Sequence, residues 1–259
     1  MNDINSIIND SDISVGSTKR MNCPVCNGYN TFSITNNMGS LVWNCYKASC
    51  SVSGAKDVHL NADDIRAQFQ VIKGATQEAK DKFVLPEYIV PHNHHVTEWA
   101  NELYGIDAEE LGLMYDVKEH RVVFPVVHDG VVVDATGRSL GKKIPKWKRY
   151  GKSDLPYING CGSVAVVVED CVSASVVGSL GSFVGVAVLG TSISDAHKKY
   201  LTRFSTAIIA LDPDALPKTM SAAKELRGFV PDVKVLRLID DLKYRNEKDI
   251  TNLTDLIGE

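Results

Sequence analysis

The chain has 259 residues, 44% of them apolar, with six cysteines and a formal charge of −4 at pH 7. Its length suits two or three domains rather than one small one, and the absence of any apolar run of about 18 residues excludes a membrane-spanning helix. The acidity does not exclude a nucleic-acid partner: between positions 118 and 152 nine basic residues stand against three acidic ones, and a polyanion is drawn to such a segment.

Residues 1–20 are rich in Asn, Asp and Ser, lack the apolar core of a signal peptide, and read as a disordered tail. Residues 21–54 form a first block, in which strand-like stretches at 31–35 and 41–44 flank Asn36-Asn37-Met38-Gly39, a hairpin-type turn. The pairs Cys23-Pro24-Val25-Cys26 and Cys45-Tyr46-Lys47-Ala48-Ser49-Cys50 lie on either side of 18 residues. Two cysteine pairs on two turns, joined by strands of this length, can place four thiolates around one structural Zn2+. Such crowding fits a reduced compartment and a metal better than a disulfide framework. Trp43 beside Cys45, with Tyr29 and Phe32, offers aromatic faces for stacking bases. Trp43 suits that role and a place in the ribbon's small core about equally, whereas Phe32 suits the core. Cys161 and Cys171 lie far from the quartet and read as small buried residues.

Residues 55–84 are polar, with one helix predicted at 62–72, and read as a linker. The second block, 85–160, opens with helical apolar spacing at 96–104 and a short helix at 108–112 that Asp107 caps. Strands at 121–127 and 131–135 follow, paired around Asp129-Gly130, a strong short hairpin signal. His92, His94 and His95 sit in a Pro-flanked loop without partnered cysteines, which argues against a second metal site. The stretch from Gly137 to Lys143 is one residue short of a phosphate loop and lacks its Ser or Thr. No helicase motor is therefore expected in this chain, which reads as free-standing or as a fragment of a larger protein.

The third block, 161–259, alternates strands at 164–168, 184–189, 206–211 and 233–238 with helices at 172–180, 194–204 and 218–228. This is the pattern of an α/β unit, a mainly parallel sheet with helices on both faces, and in such sheets function sits at the carboxyl ends of the strands. Glu169 directly follows one strand, and Asp212 and Asp214 directly follow another. Side chains repeat with period two past a strand end, so two carboxylates can aim at one point. If the two strands are neighbours, three carboxylates meet and require hard cations, Mg2+ or Mn2+, which serve phosphoryl and nucleotidyl chemistry. Asp241 follows the last strand, and Asp241 and Asp249 compete for a further ligand role.

At these residues a resemblance becomes specific. Val167-Val168-Glu169-Asp170 and Asp212-Pro213-Asp214 resemble the glutamate and Asp-x-Asp motifs of the Toprim fold, with Asp170 in place of the usual Gly and Ser173 where an Asp is common. Arg121-Val122-Val123-Phe124-Pro125-Val126, Asp134-Ala135-Thr136-Gly137-Arg138 and Pro145-Lys146-Trp147-Lys148-Arg149-Tyr150 are similar, in order, to the basic subdomain of bacterial and phage-type DNA primases. The cysteine ribbon, down to Trp43-Asn44-Cys45, looks like theirs. The resemblance covers about residues 20–250 and implies a zinc-ribbon β domain, a mixed α+β basic subdomain and a Toprim catalytic domain.

The implied activity is synthesis of short RNA primers on single-stranded DNA from ribonucleoside triphosphates. Glu169, Asp212 and Asp214 would hold Mg2+ or Mn2+, and Asp241 would assist. Arg121, Arg138, Lys146 and Lys148 would meet template or nucleotide phosphates, Arg138 foremost because a guanidinium grips phosphate bidentately. Lys142 and Lys143 read as solvated, and Lys218 and Lys224 as either triphosphate contacts or a solvated helix face. The ribbon would read the template and close over the active site on its tether. A replicative helicase is the implied partner, and the cytoplasm, the host's if the chain is phage-encoded, the implied location. The rival readings are a Toprim nuclease, a recombination mediator, and a catalytically inactive module that binds single-stranded DNA.

Overall fold

The computed structural model describes residues 4–13, 17–37, 40–58, 83–190 and 192–258. The helix expected at 62–72 lies outside them. Three sheets follow one another along the chain, and no helix among the described residues is long and apolar enough to cross a membrane.

The first sheet is an antiparallel meander of β1 (Thr18–Met21), β2 (Phe32–Asn37), β3 (Ser40–Cys45) and β4 (Ser53–Asp57). Phe32 and Ile34 are fully buried in its small core. Within the segment read as a disordered tail, the described residues 4–13 and 17–20 pack on this sheet instead. Helix α1 (Ile4–Asn9) lays Ile4, Ile7 and Ile8 on that core, and β1 pairs with β2. Its polar composition hides three isoleucines at helical spacing, enough to cover a core too small to close by itself.

The second sheet has the order β5 (Ile89–Pro91), β6 (Met114–Asp116), β7 (Arg121–His128), β8 (Val131–Ser139) and β9 (Trp147–Arg149), all antiparallel. Helix α2 (His94–Tyr104), capped by the Asn93 side chain and ended by left-handed Gly105, packs Val96, Trp99 and Ala100 beneath it. Asp129 and Gly130 both adopt positive φ (51° and 75°), the turn geometry that matches strand twist and suits Asp-Gly. The helix expected at 108–112 is only a turn. Asp107 does cap it, accepting from the Glu109 and Glu110 N–H groups at 2.8 and 3.0 Å, but Gly112 at φ 59° stops it at once.

The third sheet has the order β10 (Tyr157–Gly160), β12 (Val184–Ala187), β11 (Val164–Val168), β13 (Thr206–Ile209) and β14 (Asp232–Val235). All neighbours are parallel except β10, which runs antiparallel to β12 and so joins this sheet rather than the second block assigned to it by sequence. Val166 and Val168 point to a core shared with Val122, Phe124 and Val126 of β7; Ala165 and Val167 point to a second core on the opposite face. Burial on both faces is what the unbroken β-branched run encodes. Helix α3 (Cys171–Gly178) approaches β12 so closely that a Cβ on Gly185 would lie 2.0 Å from the Ala174 carbonyl oxygen. The small residues of α3 exist for this contact. Cys171 is buried as expected, whereas Cys161 is exposed.

Helix α4 (Asp195–Leu201) starts with a capping box: the Ser194 hydroxyl accepts from the His197 N–H, and His197 Nδ1 accepts from the Ser194 N–H at 3.1 Å. Nδ1 must be unprotonated to accept. Burial holds the imidazole down at about 4, with Arg149 and His128 reinforcing this and Asp154 opposing it. The unfolded chain thus takes up a proton near pH 6.5 that the fold refuses until about 4. Stability present above pH 6.5 is expected to fall by about 3 kcal/mol as pH drops through that window. Urea unfolding of the wild type and His197→Gln at pH 7.5 and 4.5 checks this; the variant should lose less than the wild type.

Candidate functional site

Strands β11 and β13 are neighbours in register, Val167 opposite Ile209, so Glu169 and Asp212 emerge side by side from the carboxyl end of the sheet. Asp241 arrives from the segment after β14, just before a 3-10 turn (Leu242–Tyr244), and Asp170 from the N-cap of α3. Glu169, Asp170, Asp212 and Asp241 line a cavity of about 370 Å3. Asp214 follows two residues on and is exposed; burial raises the Glu169 carboxyl, with Lys218 opposing the shift and Asp214 adding to it. Burial pushes Asp212 up to about 6, and Asp241 and Glu169 add to the shift. An all-oxygen set whose members repel one another fits a hard divalent cation, which would relieve that repulsion. The carboxylates face a common space without closing on one point: among the described residues only four cysteines bring three or more ligand atoms within 4.8 Å of one another.

Asp249, the rival of Asp241, is fully buried and accepts from the Ile239 and Asp240 N–H groups at 3.0 Å. It fixes the loop that presents Asp241 and is not available to a ligand.

The opposite wall of the cavity comes from the second sheet and is basic. Lys146 is exposed there, and Trp147 and Arg149 flank it. Arg149 donates from Nη2 to Asp134 and to the Ser153 carbonyl, while its buried Nε has no partner. Asp134 is fully buried and also accepts from the Gly151 and Ser153 N–H groups at 2.8 and 2.9 Å, so it shapes the turn that carries Arg149. Arg138 stacks over Trp147 at 5.3 Å with a buried, unpartnered Nη1. Arg121 likewise leaves its buried Nη2 without a partner, so unpartnered guanidinium N–H groups run through this sheet and do not by themselves mark a ligand contact.

Two of the cations expected at phosphates have internal work. Arg121 is fully buried; it donates to Glu119 at 3.0 Å and to the Pro145 and Lys146 carbonyls at 2.8 and 3.3 Å. Its place opposite Ser139 in the β7–β8 register turns it inward, so it braces the loop behind Lys146 instead of meeting phosphate. Lys148 pairs with the same Glu119, whose carboxyl the Lys148 and Arg121 hydrogen bonds hold down at about 2. Arg121→Met is expected to cost about 3 kcal/mol of stability by stranding those carbonyls. Urea unfolding reads this directly; unchanged stability with weakened strand binding would return Arg121 to the interface.

The cysteines meet as their spacing predicts. Cys26 and Cys45 sulfurs are 3.7 Å apart, and Cys23 and Cys50 sulfurs 4.0 Å. A tetrahedron with Zn–S bonds of about 2.3 Å has edges of about 3.8 Å, so the four sulfurs fit zinc. The Gly28 N–H holds the Cys26 thiol down at about 7, while burial pushes the Cys23 thiol up. Against the Val52 N–H, burial and the neighbouring thiols push Cys50 up to about 12, so four thiolates share this space only with a cation among them. Trp43 lies across Gly54 of β4, where a Cβ would come within 2.5 Å of its ring, so one face belongs to the ribbon's own packing. No three-ligand group forms at His92, His94 and His95, although the His94 and His95 ring centroids lie 3.8 Å apart, tilted at 41°.

The ribbon does not cover the cavity. Helix α5 (Leu216–Leu226) begins beside Asp214 and runs away from it; Asn44 of the ribbon donates to the Lys224 carbonyl at 2.7 Å and Asn37 to the Phe229 carbonyl, at the helix's far end. Sequence reasoning missed Lys243, which lines the acidic wall, and the part of Asp170 in holding it.

No family model and no curated protein matches the sequence. Among solved structures, the zinc-binding and RNA polymerase domains of the Aquifex aeolicus primase superpose with a TM-score of 0.52 and 17% identity over 98% of this chain and 82% of that one. The primase fragment of the bacteriophage T7 primase-helicase protein gives 0.48 and 18%, covering 90% and 97%. The DnaG catalytic core gives 0.47 and 16%, covering 73% and 79%. From ribbon to parallel sheet, the chain has the fold of the zinc-binding and RNA polymerase domains of the Aquifex aeolicus primase.

Proposed function

We propose that this chain is a DNA primase, a nucleotidyltransferase that makes short RNA primers on single-stranded DNA. The observation that carries the reading is the cavity with two walls of opposite character, strand-end carboxylates on one side and Lys146 and Arg149 on the other. On this reading the third sheet is a Toprim catalytic unit, in which Glu169, Asp212 and Asp214 would hold Mg2+ or Mn2+. Such ions, when bound, stabilise the attacking and leaving oxygens of phosphoryl displacement.

The chain's own residues do the positioning. Lys146 meets a phosphate of the template or the incoming nucleotide as a point charge, and Arg149, held by Asp134 and partly exposed, adds its charge to the same wall. Arg138, buried and braced on Trp147, supports that ring from behind and adds positive charge beneath the wall. The zinc ribbon presents Tyr29, 85% exposed, to unpaired template bases. Ribonucleoside triphosphates are the substrates, a replicative helicase the partner that delivers template, and the cytoplasm, reducing enough to keep the cysteines as thiolates, the place of work.

The test is incubation with mixed single-stranded DNA, labelled ribonucleotides and Mg2+ or Mn2+, resolved on a denaturing gel beside Asp212→Ala/Asp214→Ala. Short RNA from the wild type alone supports the reading. Strand binding without products under either metal would replace it with a non-catalytic module, and shortened template DNA with a nuclease.

A further inference from the structure

Lys243 is an anomaly on the acidic wall. Lysine is almost never fully buried unless paired, yet this side chain is 3% exposed. Its ammonium lies between two carboxylates, 3.0 Å from Asp170 Oδ2 and in direct contact with Asp241 Oδ2. Neither partner is incidental. Asp170 uses its other oxygen to cap α3, accepting from the Val172 and Ser173 N–H groups at 2.9 and 3.0 Å. Asp241 shares the cavity with Asp212 and Glu169. The turn that carries Lys243 is itself clamped: Arg245, in the left-handed conformation at φ 53°, donates to the Tyr104 and Gly105 carbonyls and to the Ser179 hydroxyl, each at 3.1 Å. The ammonium is thus held in one place, inside a group of four carboxylates, by backbone that cannot easily carry it away.

A cation between two carboxylates is the environment a divalent ion would select. We propose that Lys243 is a resident cation of the acidic centre, its ammonium filling between Asp170 and Asp241 a position that would otherwise recruit a divalent ion. The inference rests on the metal-binding reading of the cavity and refines it. Asp241 is then a positioning residue, neutralised from within the chain, and the set left for metals is Glu169, Asp212 and Asp214. It also accounts for Asp170 where related motifs carry glycine: an extra carboxylate arrives together with the lysine that neutralises it. One position in the centre is filled at every metal concentration, so the chain needs fewer divalent ions than its carboxylate count suggests.

The test counts bound ions, not products. The zinc-loaded full chain, Lys243→Met, and Lys243→Met/Asp241→Asn are titrated with Mn2+ by calorimetry, and each is melted with and without Mn2+. Methionine keeps most of the buried stem and removes the charge. Lys243→Met is expected to bind one more Mn2+ per chain than the wild type and to melt lower without metal, with most of that loss recovered on adding it. The double variant should bind the wild-type number and melt without that dependence. Equal stoichiometry in wild type and Lys243→Met would overturn the inference and leave the metal reading standing. So would a Lys243→Met chain that stays unfolded with Mn2+ present, since the ion then does not replace the ammonium. No Mn2+ bound by wild type or single variant would overturn both; binding by the single variant alone would uphold the resident cation and remove the metal reading.

Discussion

If the chain is a primase, Asp212→Asn should abolish primer synthesis and leave the fold intact, or even firmer. Asp212 stands at the centre of the acidic wall, at the end of β13 beside Glu169, with Asp241 also acting on it. If it is a metal ligand, its loss forfeits several kcal/mol of transition-state stabilisation, on the order of a thousandfold in rate. The same substitution removes one of four like charges from a single cavity, so the metal-free protein should melt no lower than wild type. Single-turnover ribonucleotide incorporation and thermal melting, run on one preparation, check the pair. Activity within about threefold of wild type would remove Asp212 from the chemistry. A large drop in melting temperature would make it a structural residue.

Zinc removal should have the largest effect on structure. The ribbon's core is little more than Phe32, Ile34, Leu41 and the isoleucines of the N-terminal segment. Zinc contributes about 10–16 kcal/mol to the folding of comparably small finger peptides. Cys26→Ser, or a strong chelator, is therefore expected to unfold the first sheet while the second and third, which share a core of their own, persist. Hydrogen exchange reads this by segment: amides of β2 and β3 should lose protection and those of β11 and β13 keep it. Elemental analysis should find one zinc per chain before treatment. Protection of β2 and β3 that survives zinc loss would mean that contacts such as Asn44 with the Lys224 carbonyl hold the ribbon unaided.

Where local chemistry decides, the residues told the fold in advance. Asp129-Gly130 became the expected turn because both positions need positive φ, and the run at 164–168 became a central strand because β-branched side chains suit burial on two faces. The cysteine quartet closed because two knuckles and one hairpin are all it needs. What escaped reading depends on distant partners. Ile8 is 1% exposed only because a ribbon lies over it, and Arg121 reads as a surface cation until the strand register turns it inward. Lys243 gains its meaning from Asp170, 73 positions earlier. The acidic residues were legible as strand-end punctuation, but the choice of Asp241 over Asp249 needed the loop: only in three dimensions does Asp249 spend both oxygens on backbone.

The continuous core beneath the cavity limits how the molecule can move. Val122, Phe124 and Val126 from one wall interlock with Val166 and Val168 from the other, and all are essentially inaccessible to water. Spreading the walls would expose these side chains at roughly 1.5–3 kcal/mol each, a barrier that thermal motion seldom crosses. The groove is thus a channel of fixed width, not a jaw. On the primase reading a strand would slide along it, and any opening or closing would fall to the rim, where Ile144 stands 89% exposed in a lysine-rich loop.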